Sequence, residues 1–153
     1  MLWEEFRSLA LPLLGEHFPP ELIEDNGDSI VVTSRRDFTT YILSEDERGI
    51  VIAYEGERNT VVPFCITQTL KLAATCLTLL ARDGIATLTD MSYTPQDLLG
   101  PLPHTAFTIS KKSPPFFELT STIDPTVSAT CRSFACARAI AEASAPSLDS
   151  LRP

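Results

Sequence analysis

Chemistry in this chain would have to start from its four cysteines, its two histidines and the acidic residues gathered at its turns. A cysteine beside a histidine makes an activated thiolate nucleophile, and a zinc site needs Cys and His ligands at short steps. Neither Cys65/Cys76 nor Cys131/Cys136 reads as such a step, and His17 and His104 each sit among loop residues and prolines. The histidines therefore read as surface residues and the cysteines as core-packing thiols. A cysteine-dependent enzyme remains open only if the fold carries His104 to a thiol. With only six glycines there is no phosphate-cradling loop, and the spacings call for no metal and no cofactor. Catalytically the expectation is of no site.

The acidic residues cluster in connections between strands instead of pairing on strand ends, a pattern that suits solvated or docking loops better than acid–base catalysis. Glu45, Asp46 and Glu47 share one connection; Glu55, Glu57 and Arg58 follow the next strand. In an antiparallel meander, alternate loops lie at opposite ends of the sheet. These six residues are the candidate partner-binding groups, and they form two separate charged corners.

The elements that must position them centre on residues 63–84, PFCITQTLKLAATCLTLLARDG. Ile66, Leu70, Ala73, Ala74, Leu77, Leu80 and Ala81 recur at three- and four-residue steps, the period of a helix. Pro63 suits a helix entry, Arg82 complements the C-terminal dipole and Gly84 can end the helix. Such a helix would be roughly 30 Å long, and its wide apolar arc needs cover on more than one side. It would also hold Cys65 and Cys76 about 16 Å apart, beyond disulfide reach. Cys131 and Cys136 fall on different faces of a second predicted helix.

Around that segment, residues 2–11 predict a short amphipathic helix that Pro12 ends, and 21–27 an acidic turn closed by Asn26-Gly27. Residues 29–34, 38–43 and 50–54 predict three strands of an antiparallel meander, and 60–64 extend a strand into the central helix. Residues 85–89 read as a short strand or the sequel to the helix turn, and 91–103 as a proline-rich loop with at most one helical turn at 95–99. Two strands follow at 105–110 and 116–123, then a helix at 126–143. The resulting order, α-βββ-α-ββ-α, is an α+β fold with an antiparallel sheet of about five strands packed with helices. A single domain covers 1–145, with 146–153 as a polar C-terminal tail.

Composition narrows the partners. The net charge is −8, which disfavours phosphate neutralisation and hence nucleic acid but suits a basic protein partner. Apolar runs are far below the roughly 20 residues of a membrane span, so no membrane partner is expected, and the chain reads as cytoplasmic. The alanine- and cysteine-lined helices offer a homodimer surface.

In the order SIVVTS, FTTYILSEDERG, IVIAYEGERN, VVPF and ITQTLKLAATCLTLLARDG, the chain resembles the bacterial immunity proteins that neutralise secreted NAD-hydrolysing toxins. It lacks the glycine pair and tryptophan that these proteins tend to carry in the hairpin. The resemblance implies an antitoxin that binds and occludes a cognate toxin, with no catalysis of its own. In acidic pI, length, element order and the segment FELTSTIDPTVSATCRSF, the chain is also similar to dimeric chaperones of type III secretion effectors. That resemblance implies escort of a secreted effector instead.

Overall fold

A computed structural model describes residues 2–88, 99–112 and 116–149. The chain opens with helix α1 (Trp3–His17) and a short 3-10 turn (Pro20–Leu22). Five strands follow: β1 (Ile23–Asp25), β2 (Ser29–Ser34), β3 (Thr39–Asp46), β4 (Gly49–Glu55) and β5 (Val61–Thr67). Helix α2 (Leu70–Asp83) and the single turn α3 (Ile85–Leu88) come next. The chain then returns through β6 (Gly100–Pro101), β7 (Phe107–Lys111), β8 (Phe117–Ser121) and β9 (Ser128–Cys131) to helix α4 (Phe134–Asp149).

The fold is α+β, and its sheet is antiparallel throughout, but it holds nine strands among the described residues, in the order β1-β2-β3-β4-β5-β9-β8-β7-β6. The five-strand expectation is corrected at each place where pairing with a distant strand outweighed the local pattern. Val61–Thr67 is a strand and not the start of a helix, because it lies between β4 and β9 and both neighbours satisfy its backbone. Pro63, read as a helix entry, sits opposite Ala53 where the β4–β5 register shifts, a bulge at which a missing amide costs least. The helix therefore begins at Leu70 and is about 21 Å long.

Ser128–Cys131, expected within the last helix, is likewise the strand that joins β5 to β8. The acidic segment Ile23–Asp25, expected as a turn, pairs with β2 as a short charged edge strand, a composition that discourages further pairing. Helix α1 continues through Pro12 to His17, since Leu14 adds a buried contact to the face begun by Phe6 and Ala10. Residues 85–88 are helical and not a strand. Helix α4 runs to Asp149, into the stretch expected as a tail. The remaining tail, the helical turn considered at 95–99 except Leu99, and most of the proline-rich loop lie outside the described residues.

Alternating side chains of the sheet, including Ile30, Val32, Tyr41, Leu43, Ile50, Ile52, Phe107, Ile109 and Leu119, meet the helices in one core. Helix α2 packs between α1 and α4 over the sheet, so Leu72, Ala73, Cys76, Leu77, Leu79, Leu80 and Ala81 are all buried within the chain. The cover that its wide apolar arc required is intramolecular. Thr75 and Thr78, on the outer side, donate back to the carbonyls of Lys71 and Ala74. Among the described residues no helix is long and apolar enough to cross a membrane.

Candidate partner-binding site

Strand direction divides the six charged candidates between the two ends of the sheet. At one end, Glu47 and Arg48 make the tight β3–β4 turn. Gly49 follows with φ +126°, and a Cβ there would lie 2.5 Å from the Thr67 carbonyl oxygen, so the turn requires glycine. The Glu45 carboxylate accepts from the backbone amides of Leu2 (2.9 Å) and Trp3 (3.3 Å), and so caps α1. Asp46 accepts from the Arg48 amide (2.8 Å) and guanidinium (2.7 Å), and the guanidinium holds its carboxyl below the usual range. Glu47 alone of the three is exposed with neither duty.

The opposite end carries the β2–β3 and β4–β5 turns, whose centres are two strand spacings apart, about 10 Å. Glu55 ends β4, and Glu57 and Arg58 belong to the second turn, which the Gly56 amide closes on the Thr60 carbonyl (2.6 Å). Arg58 and Asn59 there have φ +58° and +59°. In the first turn Phe38 has φ +56° and is 91% exposed. Left-handed backbone is unusual for a bulky side chain and costs of order 1–3 kcal/mol where it occurs.

The surroundings of Phe38 hold it there. Arg36 donates to the carbonyls of Ala81 (3.1 Å) and Arg82 (3.0 Å), closing the C-terminus of α2 where a cation suits the dipole. The half-buried Asp37 accepts from the Tyr41 hydroxyl and from the Ile85 amide (3.2 Å). Its own amide donates to Ser34 Oγ (3.4 Å), and its carbonyl accepts from Thr39 Oγ1 (3.1 Å). Burial pushes the Asp37 carboxyl up, but the hydrogen bonds from Tyr41, Ser34 and Ile85 outweigh it and leave the group below its ordinary value. Burial, reinforced by Asp37, pushes the Tyr41 hydroxyl far above its ordinary value. Arg36 thus ties the turn to α2 and Asp37 ties it to α3 and β3, and Phe38 stands outside on that braced base. A shallow groove of about 240 Å³ beside it is lined by His17, Phe18, Leu22, Arg35 and Arg36 among others.

A larger groove of about 480 Å³ opens near β5 and β9, lined by Ile66, Gln68, Phe116 and several hydroxyls. Its two cations are already paired, Arg48 with Asp46 and Lys112 with Glu118. His104 lies exposed on the turn before β7, while Cys65, Cys76, Cys131 and Cys136 are fully buried in the core. The groups acting on each thiol are other thiols and no histidine, so the Cys–His pairing is not assembled. The cysteines do meet one another. Cys65 lies on β5 and Cys76 on α2, not on one helix; Cys131 lies on β9 and Cys136 on α4. Cys131 and Cys136, expected to lack the short step, have four residues between them and so do have a step short enough for paired ligands. Among the described residues, however, no His/Cys/Asp/Glu group is arranged to hold a metal ion.

Phe38 was missed as a site residue because its type suits a strand start; only its left-handed φ and exposure mark it. Compared with protein-family models, curated proteins and solved structures, the chain has no significant match in any of the three.

Proposed function

We propose that this chain is a non-catalytic binding module that engages a cognate protein through the end of the sheet bearing Phe38, Glu55, Glu57 and Arg58. The observation that carries this reading is Phe38, which is held in a costly backbone conformation with its ring in water. A free protein gains nothing from that arrangement, whereas a partner pocket gains a preorganised aromatic anchor. Arg58 on the neighbouring turn supplies the second residue type that dominates binding energetics. Following the resemblance, the partner is a secreted bacterial toxin, neutralised by occlusion of its active site. The net charge of −8 supports a partner with a basic face, with association slowing as salt rises.

The test is co-purification from the native host, followed by assay of the captured protein. The expected partner is an enzyme whose activity falls when one equivalent of this protein is added. Phe38→Ala should weaken the complex at least tenfold. Capture of a secretion effector by a dimer of this chain, with no enzyme inhibited, would replace the antitoxin reading with that of a chaperone. Full neutralisation by the Phe38→Ala variant at unchanged affinity would remove the binding site proposed.

A further inference from the structure

The long sheet has a seam. The meander β1–β5 and the returning strands β9–β6 join through β5 and β9, which share only two registered pairs, Cys65 with Cys131 and Ile66 with Thr130. Each half of the chain places two cysteines at this seam: Cys65 and Cys76 from the first, Cys131 and Cys136 from the second. The thiols form a ring of contacts in the order Cys65, Cys131, Cys136, Cys76 and back to Cys65.

Cys65 and Cys131 have a further relationship. The Arg132 amide donates to the Phe64 carbonyl at 3.0 Å, so Phe64 and Arg132 are a hydrogen-bonded pair of the antiparallel ladder. Their neighbours Cys65 and Cys131 are therefore a non-hydrogen-bonded pair, the type in which facing Cα atoms approach to about 4.5 Å and side chains are closest. A disulfide accepts Cα separations of roughly 4.4–6.8 Å, so the two sulfurs can join with little backbone movement.

We infer that Cys65 and Cys131 are a reversible modification site, closed by a peroxide into a cross-strand disulfide that locks the two halves of the sheet together at their seam. In the step, the Cys65 thiolate attacks one oxygen of hydrogen peroxide, gaining a hydroxyl and releasing hydroxide, which takes up a proton to leave as water. The Cys131 sulfur then displaces that hydroxyl as a second water. One S–S bond forms, and the two electrons lost by the sulfurs reduce the O–O bond. Hydrogen bonds from Cys131 and Cys76 hold the Cys65 thiol well below its ordinary range against the effect of burial, while contacts with Cys136 and Cys65 push the Cys131 thiol well above it. Exchange of the two roles gives the same bridge and the same two waters. With all four cysteines at 0% exposure, peroxide reaches the pair only when the seam opens locally. The bridge then traps the closed form. This site is independent of Phe38 and of any partner.

The experiment treats the reduced full chain with hydrogen peroxide under native conditions and maps its peptides without reduction. The expected product has lost two hydrogen atoms and links the peptide of Cys65 to that of Cys131. It should melt roughly 5–10 °C higher than the reduced chain, and dithiothreitol should reverse both changes. Cys65→Ala should abolish the link and Cys76→Ala should keep it; if either variant fails to fold, the map of the unaltered chain decides alone. A link confined to one half, Cys65 with Cys76 or Cys131 with Cys136, would overturn the inference. So would the absence of any link, or stoichiometric zinc bound by the purified protein.

Discussion

The carboxylate of Glu45, at the penultimate position of β3, receives the backbone amides of Leu2 and Trp3 at 2.9 and 3.3 Å and so anchors the start of α1 to the sheet. No side chain of α1 caps its own N-terminus; the cap comes from a strand more than 40 residues away. An acidic residue that looks like a docking group is thereby given a folding role.

Glu45→Ala should accordingly act on stability. Loss of an N-cap and of a carboxylate at the positive end of a helix costs about 1–2 kcal/mol. A chemical denaturation curve should shift to lower midpoint with unchanged slope. Partner affinity, measured well below the transition, should stay within about twofold of the unaltered protein.

Gly49→Ala should be the more damaging change at the same turn. The added Cβ meets the Thr67 carbonyl oxygen and carbon at 2.5 and 2.7 Å, and the φ of +126° is itself unfavourable for alanine. A loss of about 2–3 kcal/mol is expected, read as a lower thermal midpoint. Gly27→Ala, where nothing lies within 4 Å, should cost less and serves as the control for positive φ alone.

Acid should unfold the protein partly through Asp37. Its folded-state carboxyl lies below the ordinary value of 3.8, so the stability it adds is complete above that value. That stability is lost as pH falls from there through the folded value. Asp37→Asn should flatten the fall of the melting temperature as pH drops below about 4. Asp25, Asp46, Asp83 and Asp124 are also shifted downward, but they are exposed and should contribute less each. An unchanged acid limb in the Asp37→Asn variant would remove the brace from the account of the turn.

Phe38→Gly separates stability from binding. Glycine adopts φ +56° without the cost borne by phenylalanine, and a ring that is 91% exposed gives up almost no buried area when removed. The free protein should gain roughly 0.5–1 kcal/mol after allowing for the looser unfolded chain. The complex should weaken at least tenfold. A variant that is both less stable and fully active in binding would contradict the role given to the turn.

How much of the candidate site was legible follows from which signals are local. The division of the charged residues between opposite ends of the sheet comes from strand alternation and connection length, but Glu45 and Asp46 lie within β3 and Glu55 within β4, not in the connections where they were expected. That Glu45 caps a helix and Asp46 pairs with Arg48 depends on neighbours that spacing does not reveal. Phe38 carried no signal beyond its type, since exposure and a left-handed φ are properties of the folded chain.

By itself the sequence determined the meander β2–β3–β4, the apolar helix ending at Gly84 and the antiparallel α+β character. Alternation, helical periodicity and turn residues act over a few positions and need no distant partner. Only the tertiary structure decided that the strand read at 60–64 continues through Thr67 and that Ser128–Cys131 is a strand. Both segments are apolar enough to lie in a helix or in a buried strand. The choice between the two fell to the hydrogen bonds each could find across the seam, where Cys65 meets Cys131.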